Sequence, residues 1–282
     1  MIFDAHVRAA LGLVWPEAAA AGAQWRALGG GTVPRSVLVV AGGERRVLRL
    51  PSARAPGTVE FDAELRAMRA AASAGLAPPV ESAHADGAIL LTRYFGSPWT
   101  PEVARRPASI VRMAATLCEL HELRARLPRF AARPVAQRYI EAVRDRLEVH
   151  EHAWAHEYLD LASRFDVQHA ATAFCHNDLV AANVLDDGER LALIDFEYAV
   201  RAAPVLDLAG LAAMNGFSPE RCRELLAAYA DHGKPAATLV ELAEAIRMVQ
   251  LQAYFWARLG EIRAPQPGSH AELAKELGRA LQ

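Results

Sequence analysis

The amino-acid sequence predicts an α+β chain: a small antiparallel sheet with one helix comes first, and a mainly helical region follows. Three observations carry this. Strand-like alternation punctuated by glycine turns is confined to the first hundred or so residues. A single amphipathic helix interrupts it. After Pro98 the apolar residues recur mostly at helical spacing.

Asp4 is placed to cap a short amphipathic helix running towards Leu13, and Pro16 and Gly22 end that pattern. From Trp25 the period changes. Trp25–Leu28, Ser36–Val40 and Arg45–Leu50 read as strands, separated by a Gly29-Gly30-Gly31 turn and a Gly42-Gly43 hairpin. Phe61, Leu65, Met68 and Ala72 then fall on one helical face, which predicts a helix over Val59–Ala74 stopped by Gly75 and Pro78. Val80–His84 and Ala88–Tyr94 follow as strands turning at Asp86-Gly87. Beyond them, helices are expected over Ser109–Leu123, Val135–Phe165, Asp207–Met214, Pro219–Asp231, Pro235–Glu261 and Ser269–Leu281. Short strands interrupt these near Ala173–Cys175, Val184–Leu185 and Leu191–Ile194. The change of character near Phe95–Pro101 divides the chain into lobes of residues 1–96 and 97–282.

Composition narrows the class of partner. With 282 residues, 52% hydrophobic and 23% charged, the chain can bury a sizeable core and has none of the bias of a disordered segment. The formal net charge is −2 and Arg is interspersed with Glu and Asp, so no basic face for nucleic acid is expected. Cys118, Cys175 and Cys222 are widely spaced and match no metal or redox pattern, which suits reduced core thiols in a cytoplasmic protein. No basic start leads into an apolar run, and no stretch approaches the ~20 apolar residues of a membrane span. A small molecule is the expected partner.

The chemistry is concentrated between His176 and Glu197. Phe174-Cys175-His176-Asn177-Asp178 runs on through Leu179-Val180-Ala181-Ala182-Asn183, placing a carboxylate and an amide five residues apart after an apolar strand. Twelve residues beyond Asn183, a second strand ends in Ile194-Asp195-Phe196-Glu197. The carboxylate, amide and second carboxylate resemble those of the protein kinases, whose phosphoryl transfer asks for a carboxylate that orients the attacking hydroxyl and takes its proton, and for oxygen ligands that hold Mg²⁺ against phosphates. Asp178 suits the first task; Asn183 and Asp195 suit the second. His176 reads as a hydrogen-bonded scaffold for the loop.

These two segments resemble the catalytic loop and metal-binding segment of protein kinases, with Glu197 where those enzymes have glycine. In that form they are similar to the choline and ethanolamine kinases and their aminoglycoside and thiamine kinase relatives, the aminoglycoside phosphotransferase and choline kinase superfamily. The resemblance covers about Trp25 to Leu259. It implies a bilobal, protein-kinase-like fold and an ATP- and Mg²⁺-dependent phosphotransferase acting on an alcohol group, with a choline- or ethanolamine-like acceptor as the expected substrate and a thiamine or aminoglycoside kinase, or a non-catalytic kinase-fold binding protein, as the alternatives.

It also implies a nucleotide site. A glycine loop, here with Gly30 and Gly31, and a cation on the third strand, here Arg49, would meet the phosphates, and a helix carboxylate would hold the cation. Glu60 and Glu64 compete for that role. At 100° per residue, Glu64 lies about 60° from Phe61 beside the apolar stripe, and Glu60 about 100° away towards water, which favours Glu64. Relatives commonly continue the glycines with Thr-Asn; this chain has Thr32-Val33-Pro34-Arg35-Ser36, so Ser36 or backbone N–H groups are the expected phosphate contacts. The adenine is expected against the connector Thr92–Phe95, with Thr92 and Tyr94 as contacts. On the acceptor side, Glu197 is a candidate for a second metal or a cationic substrate. Tyr254 and Trp256 lie where choline kinases receive an ammonium group, although an aromatic triplet on a helix is equally well explained by core packing. Asp207, in Pro204-Val205-Leu206-Asp207-Leu208-Ala209, reads as a helix N-cap that also braces the catalytic loop.

Overall fold

The computed structural model describes residues 2–28, 36–51, 58–234, 237–263 and 269–282. It separates into two compact units, Met1–Pro98 with Val184–Glu197, and Trp99–Asn183 with Tyr198–Gln282. The segment 184–197, expected from sequence within the C-terminal lobe, thus packs with the first unit.

The first unit opens with helices α1 (Ile2–Val14) and α2 (Pro16–Ala20). The meander β1 (Gln24–Leu28), β2 (Ser36–Ala41) and β3 (Glu44–Arg49) follows, then α3 (Phe61–Ser73), β4 (Val80–His84), β5 (Ile89–Arg93) and the short β6 (Ser97–Pro98). Five strands form one antiparallel sheet in the order β1-β2-β3-β5-β4. Gly42 and Gly43 make the β2–β3 turn with φ of 59° and 81°, the left-handed pair a two-residue hairpin needs. Helix α1 exists because Val7, Ala10, Leu11 and Val14 share one face and bury it on Val37, Val39, Leu48, Leu50, Ile89 and Leu91 of the sheet. Each of its larger side chains contributes about 1.5–3 kcal/mol by leaving water. Asp4 lies within the first turn of this helix, not at its cap, and accepts a hydrogen bond from Trp25 Nε1 at 3.2 Å.

Helix α3 begins two residues later than expected. The N–H of Val59 is taken by the Glu197 carbonyl at 2.7 Å, which leaves Glu60 as the residue before the helix. At the other end Gly75 adopts φ 77° and Leu76 N–H returns to the Ala71 carbonyl at 2.9 Å, closing the helix as the glycine predicts.

In the second unit come α4 (Pro101–Ala104), α5 (Pro107–Glu122), α6 (Ala132–Val143), α7 (Val149–Gln168) and β7 (Ala173–Cys175). The chain then supplies β8 (Val184–Asp186) and β9 (Leu191–Leu193) to the first unit, where β6, β8 and β9 form a small antiparallel sheet. Back in the second unit, β10 (Val200–Ala202) pairs with β7, and α8 (Pro204–Met214), α9 (Pro219–Ala230), α10 (Leu239–Arg263) and α11 (Ser269–Leu281) complete the chain. The single helix expected over Val135–Phe165 is two helices. Glu148 and Glu151 form a reciprocal capping box that starts α7 afresh after a 3₁₀ turn at Arg144–Arg146, and Asp166 caps the start of α6 by accepting from Ala132 and Arg133 N–H at 2.7 and 2.9 Å. Among the described residues no helix is long and apolar enough to cross a membrane.

Gly96 joins β5 to β6 with φ 38°, and a Cβ there would collide with the Asp186 carbonyl. Backbone stands on both sides of that approach. Gly96→Ala is therefore expected to cost at least the about 1–3 kcal/mol of a forced backbone conformation, read as a lowered urea midpoint; an unchanged midpoint would show that β6 detaches from β8 freely.

Candidate active site

In the second unit, the expected catalytic loop leaves β7 at Cys175 and ends in a 3₁₀ turn at Ala181–Asn183. Its shape is imposed by Asp207. Pro204 occupies the first turn of α8, where its missing N–H costs nothing, and Ala203 is the N-cap residue. The sequence reading of Asp207 as the N-cap is thereby corrected. Fully buried, Asp207 instead turns inward and accepts from the backbone N–H groups of His176 at 2.8 Å and Asn177 at 2.7 Å, which is the bracing role expected of it. Its Oδ2 also lies 3.2 Å from His121 Nε2, and His121 Nδ1 meets the Tyr229 hydroxyl at 2.7 Å.

The loop pays for this anchoring locally, with Asn177 in the left-handed region at φ 62° and its side chain donating to the Tyr198 carbonyl at 3.3 Å. His176 is fully buried, as befits a scaffold. Asp178 is half-buried, and Asn183 Nδ2 donates to both its carbonyl oxygen and its Oδ2, each at 2.9 Å. One amide thus fixes the carboxylate through nitrogen and keeps its own oxygen for other work.

His121, Cys175 and Asp207 bring a ring nitrogen, a thiol sulfur and a carboxylate oxygen within 4.8 Å of one another. Burial pushes the Cys175 thiol well above its ordinary range, so it stays protonated and donates weakly to the Ala203 carbonyl at 3.6 Å. With Asp207 receiving two amides, this cluster is a hydrogen-bonded framework behind the loop. Sequence reasoning missed His121 and Tyr229. The available signal was a histidine on the buried face of α5 beside Leu117 and Leu120, a polar group that needs a partner.

In the first unit, Arg49 at the end of β3 pairs through Nη1 with Glu64 and lies 3.1 Å from Asp195 Oδ1. Glu64 is 2% exposed, whereas Glu60 is exposed at the helix start, so the structure pairs Arg49 with the favoured candidate. Asp195 holds φ 66° with its side chain 30% exposed. Ser36 stands opposite Arg49 in the β2–β3 register. Thr92 is buried in β5, and Tyr94 follows it with Arg45 over its ring at 4.4 Å. Glu197 is buried and its carbonyl accepts from Val59. Gly30 and Gly31 lie outside the described residues.

Tyr254 and Trp256 part company on α10. Tyr254 is buried, packs edge-on against Trp154 at 5.1 Å and gives its hydroxyl to Glu151. Burial, and then the Glu151 carboxylate, push that hydroxyl well above its ordinary range. Glu151 is in turn paired with Arg258 at 2.8 Å. Trp256 is half-buried against His270 of α11, with ring centres 5.3 Å apart.

Taken singly, the Asn183 amide oxygen in the second unit and the half-buried Asp195 carboxylate in the first are oxygen donors of the kind Mg²⁺ takes.

Comparison with solved structures places this fold. A choline/ethanolamine kinase family protein from Mesorhizobium loti is 25% identical over 99% of this chain and 93% of its own, with a TM-score of 0.82. The choline kinase LicA from Streptococcus pneumoniae matches over 100% of this chain and 99% of its own at 17% identity and a TM-score of 0.81, and LicA is also known in complex with AMP. An aminoglycoside-3'-phosphotransferase of type VIII matches at 22% identity over 89% of this chain and 98% of its own, with a TM-score of 0.62. The protein-kinase-like fold expected from the two motifs is therefore the fold of this chain. No curated protein matches it. Residues 24–245 match the phosphotransferase enzyme family, and with that match spanning most of its length the chain is a phosphotransferase belonging to that family.

Proposed function

We propose that this phosphotransferase moves the γ-phosphoryl group of ATP to the hydroxyl of an amino alcohol such as choline or ethanolamine. The likeness to the Mesorhizobium loti choline/ethanolamine kinase family protein carries this reading, because it extends over nearly the whole of both chains. Asp178 takes the proton of the acceptor hydroxyl as its oxygen forms the new bond to phosphorus and the bond to the ADP oxygen breaks. Arg49, held by Glu64, supplies a fixed guanidinium for phosphate oxygens. Asn183 and Asp195 would hold Mg²⁺, which when bound neutralises charge on the phosphates. Gly30, Gly31 and Ser36 are assigned to the phosphates, and Thr92 and Tyr94 to the adenine. For a cationic acceptor, Trp256 supplies a ring face and Glu197 a carboxylate, while Tyr254, its hydroxyl engaged by Glu151, sets the position of α10.

A coupled ADP assay with choline, ethanolamine, thiamine and an aminoglycoside tests the reading. Turnover confined to thiamine or the aminoglycoside would overturn the acceptor class. The absence of any turnover, together with no thermal shift on adding Mg²⁺ and ATP, would overturn the kinase.

The metal assignment has its own test. Asp195→Ala removes the anionic ligand but leaves Arg49 paired with Glu64, so the sheet stays intact. Calorimetry should then show ATP affinity that no longer rises on adding Mg²⁺. Retention of the parental Mg²⁺ dependence would place the metal elsewhere.

A further inference from the structure

Helix α8 holds the catalytic loop at one end through Asp207, and the same helix reaches it again from the other. Asn215, 1% exposed, is the last residue before the helix turns out. The turn out of the helix is made by the backbone beyond it. Gly216 takes the left-handed conformation at φ 65°, and Phe217 N–H closes on the Ala212 carbonyl at 3.0 Å. Asn215 Nδ2 is thereby available to donate to two carbonyl oxygens, Leu211 of its own helix and Leu179 of the catalytic loop, both at 2.8 Å. Both neighbours are acceptors, so the nitrogen must face them. The Asn215 carbonyl is itself gripped by Arg105 Nη1 at 2.9 Å, at the end of α4, which packs beside the 3₁₀ turn Ala181–Asn183.

We infer that Asn215 is a positioning residue for Asp178, an inference that rests on the proposed role of Asp178 in phosphoryl transfer. Asp207 fixes the amides of residues 176 and 177, and Asn215 fixes the carbonyl of residue 179. Residue 178 is the peptide between the two anchors. Both anchors stand on one rigid helix about two turns apart, so the direction of the Asp178 carboxylate is set by α8 as well as by Asn183. A loop anchored at the front alone could pivot about residue 177, and displacement of a reacting group by about 1 Å costs on the order of 10²-fold in rate.

Two substitutions separate this from a packing role. Asn215→Ser keeps a donor able to reach the carbonyl four residues back, as serine does in helices, but is too short for Leu179. Asn215→Asp preserves volume and replaces the donor by an acceptor facing two carbonyls. Hydrogen exchange of peptides spanning residues 176–182 reads the clamp without reference to catalysis; kcat with choline, acceptor-free ATP hydrolysis and the Kd for ATP read its consequence. Both variants are expected to fold, to exchange faster in that segment and to lose about 10–100-fold in kcat at unchanged ATP affinity, Asp more than Ser. Parental exchange in the segment would overturn the clamp. Faster exchange with parental kcat would overturn the positioning of Asp178, and so would Asp outperforming Ser, the order that volume alone dictates. If the parent protein neither turns over nor binds ATP, the proposed function falls, and parental or faster exchange still decides the clamp.

Discussion

Asp178→Asn is expected to slow phosphoryl transfer by about 10²–10⁴-fold, the usual contribution of a positioned general base, with little change in ATP affinity. The substitution is nearly isosteric, and Asn183 Nδ2, which donates to the carbonyl and Oδ2 of residue 178, can keep both bonds by facing the new amide oxygen. Shape is therefore conserved while the proton acceptor is lost. Single-turnover kinetics with the acceptor found in the panel measures the chemical step, and calorimetry measures ATP binding. A variant as fast as its parent would remove Asp178 from the mechanism; one that failed to bind ATP would show that the residue serves the nucleotide.

Asp207→Ala is expected to be the most destabilising of these changes. It leaves the buried N–H of His176 and the half-buried N–H of Asn177 without an acceptor and removes the neighbour of His121 Nε2. One buried donor orphaned at about 1–3 kcal/mol, with a second half-buried donor adding less, predicts a loss of about 2–4 kcal/mol, a large part of the stability of an ordinary domain. Urea unfolding read by tryptophan fluorescence would measure it. A loss below about 1 kcal/mol would mean that water replaces the carboxylate and that the framework behind the loop is not what shapes it.

The parts of this chain that sequence reveals are those whose physics is local. Gly42-Gly43 and Gly75 announce a hairpin and a helix stop because only glycine adopts those backbone angles without strain. The preference for Glu64 over Glu60 followed from helical geometry, since a carboxylate beside the apolar stripe is carried towards the sheet that bears Arg49. The break between α6 and α7 was hidden, because no glycine or proline marks it and its cap is a glutamate, outside the usual capping set. Asp207 was misplaced for a related reason: Asp is a good cap, and only the tertiary partners at residues 176 and 177 show that it faces inward. His121, Tyr229 and Asn215 act on residues 36 to 108 positions away in the chain, at a range where spacing carries no information.

In the nucleotide site proposed above, the arginine at position 49 also decides which chemical reagents can report. A nucleotide analogue bearing an acylating or sulfonylating group labels a kinase when an amine beside the phosphates can lose its proton and attack. A guanidinium does not deprotonate in proteins, so the partner of Glu64 and Asp195 is no nucleophile. The lysines of this chain are Lys234 and Lys275, both in the second unit. Amine-directed affinity labelling would therefore mark those residues or the N-terminus and pass over Arg49, and a proteome-wide search for nucleotide-binding proteins that relies on such labels would under-count proteins built this way.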